Sequence, residues 1–97
     1  MKLTLSVVRN EDADTVVQAL IAHGFYVTRL PSTGGFLRAG NTVLLSGLED
    51  DQLETMTEII QSRTRLRVQP PTGQILQETQ VSRAVVFVLG LEELRKL

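Results

Sequence analysis

The stretch Thr28-Arg29-Leu30-Pro31-Ser32-Thr33-Gly34-Gly35-Phe36-Leu37-Arg38-Ala39-Gly40-Asn41-Thr42 concentrates residue types that can hold a small polar ligand. Gly34 and Gly35 are consecutive glycines, and their backbone N–H groups can turn together toward an anion as a nest. Arg29 and Arg38 can balance phosphate charge. Phe36 offers a flat face to a base. Thr28 and Asn41 carry groups that match base edges, since an amide supplies both a donor and an acceptor. Residue types alone leave two readings open: a nucleotide site, and a tight surface loop joining two strands.

The other residues able to do chemistry form no comparable group. His23, the single histidine, falls near the end of a predicted helix and reads as a surface residue interacting with that helix terminus. No His/Asp/Glu grouping has metal-ligand spacing, and the lack of cysteine excludes disulfides, thiolates and cysteine-based metal sites. Neither a metal nor a cofactor is expected. Glu49-Asp50-Asp51 reads as the acidic first turn of a helix. Ser6, Ser32, Ser46, Ser62 and Ser82 have no base partner in a recognisable motif, and there is no Gly-x-Ser-x-Gly elbow. No glycine run continues into Gly-Lys-Ser/Thr, so there is no P-loop. Small phosphatases on ferredoxin-like folds need a glycine-rich anion loop after the first strand. Here that place holds Arg9-Asn10-Glu11-Asp12, whose acids repel phosphate. Catalysis is not expected.

The elements that must position the 28–42 stretch follow from periodicity. Lys2 to Val8 alternates, with Leu3, Leu5 and Val7 on one face and Thr4, Ser6 and Val8 on the other, which predicts a strand. Asn10-Glu11-Asp12 supplies cap candidates and acids for a helix over 11–23, with Val16, Val17, Leu20 and Ile21 as its apolar stripe. Gly24 is placed to end it as the C′ residue. Strands are predicted for Phe25 to Leu30 and for Asn41 to Leu48. A second helix follows the acidic turn, with Leu53, Met56, Ile59 and Ile60 inward. Residues 64–82 contain the turn Pro70-Pro71-Thr72-Gly73, whose flanks suit a loose hairpin. Ala84 to Leu89 is an apolar strand on both faces. Leu91, Leu94 and Leu97 are spaced for a short final helix.

This order, β-α-β-β-α-(hairpin)-β, predicts an α+β fold of the ferredoxin-like split βαβ type, as one domain over residues 1–97. Its helices cover one sheet face only. Val85, Phe87 and Leu89 alternate with Ala84, Val86 and Val88, so the second face is too apolar to stay wet. In a chain of 97 residues the second cover is expected to be another copy, in a closed symmetric oligomer. Ten basic and eleven acidic residues give a formal charge of −1, which argues against a general binder of nucleic acid or anionic membrane. The longest strictly apolar run, Ala84 to Leu89, is far shorter than a membrane span. Met1-Lys2-Leu3-Thr4-Leu5 lacks the apolar stretch of a signal peptide, so a cytoplasmic location is expected.

The run Val27-Thr28-Arg29-Leu30-x-Ser32-Thr33-Gly34-Gly35-Phe36-Leu37-Arg38-Ala39-Gly40-Asn41-Thr42 resembles the signature of the PII-like cyclic di-AMP receptors, the PstA/DarA family. Met1-Lys2-Leu3, the spacing to Gly24-Phe25, and Gly47-Leu48-Glu49-Asp50 are similar to it in register. Ala84-Val85-Val86-Phe87-Val88-Leu89 is similar to the family's last core strand. The resemblance implies a homotrimer of ferredoxin-like subunits that binds cyclic di-AMP in clefts between neighbours, without catalysis. By position, Thr28, Gly35, Phe36, Leu37, Asn41 and Gly47 would line the adenine and phosphate site, with Phe87 a weaker candidate. The chain departs from the family pattern in three places. It has Gly24 and Tyr26 where the family has Asn and Arg around the Phe. Its 64–82 segment is shorter than the family's long loop. It ends Glu92-Glu93-Leu94-Arg95-Lys96-Leu97.

The function expected is signal transduction: an adenine-nucleotide receptor, cyclic di-AMP first, that passes the binding event to an unknown partner protein. One alternative keeps the trimer and changes the ligand to AMP, ATP or another small anion, with Gly24 and Tyr26 reshaping the pocket. The other is a scaffold that has lost its ligand site.

Overall fold

The computed structural model describes residues 1–30, 40–64, 67–68, 81–82 and 84–97. In chain order the elements are β1 (Lys2–Arg9), α1 (Asn10–Ala22), β2 (Thr28–Leu30), β3 (Asn41–Leu48), a 3-10 turn (Asp50–Gln52), α2 (Leu53–Arg63), β4 (Arg67–Val68), β5 (Val81–Ser82) and β6 (Val85–Gly90). Four strands form one sheet in the order β2-β3-β1-β6, and each neighbouring pair is antiparallel. With both helices on one face, this α+β arrangement is compatible with a ferredoxin-like fold. The flanks of the 64–82 segment do pair as a short hairpin, Arg67 opposite Ser82 and Val68 opposite Val81. The turn expected at Pro70-Pro71-Thr72-Gly73 lies outside the described residues.

The amphipathic spacing of the helices sets the core. α1 buries Ala13, Val16, Ala19 and Leu20, and α2 buries Met56, Ile59 and Ile60. These close over Val8, Leu44 and Leu48 of the sheet. α1 ends as its glycine requires. Gly24 takes φ +86, a left-handed conformation. Its N–H donates to the Ile21 carbonyl at 2.9 Å, and the Phe25 N–H donates to the Leu20 carbonyl at 3.0 Å. This pair of bonds is a Schellman motif, and Phe25 packs into the core beside Leu20 as the motif's apolar contact. Phe25 to Val27 is therefore the exit from the helix, and β2 is shorter than the six residues its composition suggests.

The start of α1 differs from expectation. Asn10 is its first residue, with no side-chain cap at Arg9. Asn10 instead spans to the start of β3: its backbone N–H donates to the Gly40 carbonyl at 2.8 Å, and its side-chain Oδ1 accepts from the Thr42 hydroxyl at 2.6 Å. Gly40 takes φ +97 to make this approach. At the other helix, the Glu49 N–H donates to Gln52 Oε1 at 2.9 Å and steadies the acidic turn before α2. The final helix expected from Leu91, Leu94 and Leu97 does not form. The Leu91 N–H is drawn to the Met1 carbonyl at 3.1 Å, and so short a segment cannot offset the cost of helix nucleation.

The two sheet faces divide the residues in an unexpected way. Thr4, Ser6 and Val8 of β1 lie under the helices, while Leu3, Leu5 and Val7, half-buried, point to the opposite side, which no helix among the described residues covers. The cross-strand register extends this uncovered face into three rows. They are Thr28–Leu45–Leu5–Phe87, Leu30–Val43–Val7–Val85 and Gly47–Leu3–Leu89. On β6, Val86 thus faces the helices, and Val85, Phe87 and Leu89 face outward, each about half exposed.

Two substitutions test this description. Leu20 is 1% exposed, so Leu20→Ala should cost about 2–5 kcal/mol in urea unfolding. Gly24→Ala meets no atom within 4 Å and should cost only ~1 kcal/mol, from backbone strain alone. Equal costs would contradict the assignment of one to packing and the other to the turn.

Candidate functional site

β2 and β3 carry the described candidates. Thr28 opens β2 opposite Leu45, which places it on the uncovered face. Asn41 opens β3 opposite Arg9, fixed in place by the brace from Asn10 to Gly40 and Thr42. Gly47 lies two residues beyond Leu45 on the same face. Strand geometry spaces these three along a strip, with Thr28 roughly 8 Å from Gly47 and roughly 14 Å from Asn41. One base therefore cannot bond both Thr28 and Asn41. Gly34, Gly35, Phe36, Leu37 and Arg38 lie outside the described residues.

The remaining candidates fall apart from this strip. Arg29 alternates away from Thr28 toward the helix side, where its guanidinium pairs with Asp14 of α1 at 2.7 Å. Phe87 shares a row with Thr28 but sits on the opposite sheet edge, about three strand spacings, ~14 Å, away. Tyr26 follows the Schellman turn, its carbonyl accepting from the buried Ser46 hydroxyl at 2.5 Å. Its ring projects outward, 67% exposed. His23 Nδ1 donates to the Ala19 carbonyl, 2.8 Å away, which is the helix-terminus role its position predicts.

Two features escaped the sequence. Arg9 stands opposite Asn41 on the uncovered face. Only the strand register brings that cation beside the amide, since the two are distant in the chain. The second is the segment after β6. Leu94 rests on Gly47: a methyl built there would lie 2.5 Å from Leu94 Cδ1 and 3.8 Å from Leu91 Cδ2. Lys96 continues past it, its Nζ 5.1 Å from the centroid of the Tyr26 ring. Between this segment and the body lies a cleft of about 710 Å³, lined by Tyr26, Gly47, Glu49, Gln52, Leu94 and Lys96 among others. The Met1 amine also borders it, 3.1 Å from Asp50 Oδ1. The hydrogen bond and charge of that amine, with Lys2 adding a smaller effect, hold the Asp50 carboxyl below the usual carboxylate range.

No cluster of three or more His, Cys, Asp or Glu suited to a metal occurs among the described residues, and none of their helices is long and apolar enough to cross a membrane. What the geometry presents is a strip of small and amide residues beside an apolar sheet face and a mixed cleft. The family model for cyclic-di-AMP receptors matches residues 1–97. The chain belongs to that receptor family, whose ligand is cyclic di-AMP. It is also similar to a solved structure described as "a functionally unknown protein from Pediococcus pentosaceus ATCC 25745". The two share 29% identity with a TM-score of 0.75, over 99% of this chain and 96% of that one.

Gly47→Ala tests the contact at the end of the strip. Leu94 is 43% exposed and its Cδ1 ends a flexible side chain, so the added methyl should push it aside without unfolding the chain. The expected outcome is a shifted Leu94 methyl resonance with a melting temperature changed by no more than about 3 °C. An unmoved Leu94 would contradict the contact.

Proposed function

We propose that this chain is a PII-like, cytoplasmic signal-transduction protein without catalytic activity. It forms a single domain over 1–97, assembles as a homotrimer, and binds cyclic di-AMP in the clefts between subunits. The observation that carries the reading is the family match over the full 97 residues. The uncovered face supports the assembly. Its rows of Leu3, Leu5, Val7, Leu45, Val85 and Phe87 are what a second copy would cover. The edge positions of Thr28 and Phe87 support the placement of the ligand. A molecule touching both cannot reach across ~14 Å of one subunit's apolar face without lying flat on it. Between two subunits, the β2 edge of one and the β6 edge of the next approach each other.

In this site Thr28, Asn41 and the backbone at Gly47 bind the bases. Gly34, Gly35, Phe36 and Leu37, outside the described residues, contribute to the same site, and Arg38 supplies a cation for phosphate. Arg29, held by Asp14, contributes less. Binding then alters the surface offered to a partner protein. A second reading changes the ligand to AMP, ATP or a small anion. It is favoured by one observation: Tyr26 stands where related receptors carry an Arg, so one phosphate partner is absent from that position.

Light scattering should give about three times 10.8 kDa. Val85→Asp places a charge on the uncovered face at a position 46% exposed in the single subunit, so it should dissociate the assembly while the subunit stays folded. A monomeric wild type at micromolar concentration would overturn the trimer.

Calorimetry with cyclic di-AMP, AMP and ATP tests the ligand. Cyclic di-AMP should bind most tightly. Thr28→Val and Asn41→Ala should each weaken it by about tenfold to a hundredfold, the worth of a hydrogen bond left unmade (roughly 1–3 kcal/mol). Binding of AMP or ATP alone would move the conclusion to the second reading. No binding to any nucleotide would leave a scaffold.

A further inference from the structure

The residues after β6 are not accounted for by the sheet, the helices or the strip. Residues 91–97 leave the Met1 end of the sheet, where the Leu91 N–H is bonded to the Met1 carbonyl. They cross the Gly47 end of β3 and finish beside Tyr26. Among the described residues they are held by that backbone bond, by Leu94 on Gly47 and by Lys96 over the Tyr26 ring. Arg95 pairs within the segment, 2.7 Å from Glu93 Oε1.

We propose that residues 91–97 are a strap that competes with the ligand for Gly47, so that binding displaces the strap and a loosened strap favours binding. The proposal rests on the reading of Gly47 as part of the receptor site. The physical basis is exclusion. Leu94 Cδ1 lies 2.5 Å from where a methyl on Gly47 would stand, so no ligand atom can occupy the space above the Gly47 Cα while Leu94 is in place. The strap is weakly held. Leu94 is 43% exposed and Leu97 fully so, and an exposed cation–aromatic contact contributes little. Such a segment lies at the low-stability end of the structure, where displacement by a ligand is feasible. Strap and ligand then oppose each other through one shared surface, and the coupling is reciprocal: whatever loosens one tightens the other.

The test uses the full chain and cyclic di-AMP, with two readouts. One is affinity by calorimetry for the wild type and for Leu94→Ala. The other is the Lys96 side-chain methylene resonance, which the ring of Tyr26, the only aromatic of its kind in the chain, displaces upfield. Leu94→Ala should bind roughly fivefold more tightly than wild type. Adding cyclic di-AMP to the wild type should return the Lys96 resonance to its unperturbed position. Lys96→Gln should tighten binding in the same direction by a smaller factor. If the wild type binds but Leu94→Ala has equal affinity and Lys96 does not move, the strap is overturned and the receptor reading stands. If Leu94→Ala binds more weakly, Leu94 is a wall of the site and the competition is overturned. If neither protein binds cyclic di-AMP while Lys96 still sits on Tyr26, the receptor reading fails and the strap with it. Binding by Leu94→Ala where the wild type shows none would support both.

Discussion

A strand has two faces, and in β1 the more apolar one points away from the helices. Leu3, Leu5 and Val7 are turned outward, while the helices bury Thr4 and Ser6. The hydroxyls under the helices are tolerated because they find partners. The Thr4 hydroxyl lies 3.3 Å from the Ser46 carbonyl and 3.4 Å from Met56 Sδ, and the Ser46 hydroxyl in turn holds the Tyr26 carbonyl. A buried hydroxyl with a partner costs little, and without one it costs a few kcal/mol. The helix side is therefore closed largely by the helices' own apolar stripes together with Leu44 and Leu48. The carbon-rich side of the sheet is left for something else to cover, and the proposed assembly and inter-subunit site both derive from that division.

The candidate residues are placed by backbone devices rather than by the core. The Schellman turn at Gly24 fixes where the chain leaves α1 and so where Tyr26 and Thr28 fall. The Asn10 brace fixes where β3 begins and so where Asn41 falls. Both devices depend on a glycine in left-handed conformation, Gly24 and Gly40.

Much of this was legible in the sequence because alternation and helical spacing are local. The strands at 2–8, 41–48 and 84–89, the two helices and the role of Gly24 all emerge from such local patterns. The face to which each alternating set belongs is a property of the whole sheet, and Leu3-Leu5-Val7 would read equally well as core. The length of β2 was over-read because Phe25 is apolar for a turn's sake and not for a strand's. Leu91, Leu94 and Leu97 have helical spacing, yet Leu94 is spent on Gly47, a contact between residues far apart in sequence. Arg29 lies near the glycines in sequence, and alternation along β2 places its guanidinium beside Asp14, a contact the sequence does not announce. The family signature identified the ligand class through residues whose types suit it, whereas the pairing of Arg9 with Asn41 required the register.

β6 lies at the edge of the four-stranded sheet, and Val85–Gly90 contains no charge and no proline. Native edge strands are usually guarded by a lysine, a proline or a bulge, because an unguarded one recruits other strands. Here the exposed edge adjoins three outward-facing apolar side chains, Val85, Phe87 and Leu89. Aggregation of an uncovered subunit would begin there, by strand addition. In the proposed assembly this face is covered, so the hazard belongs to chains that have not yet assembled.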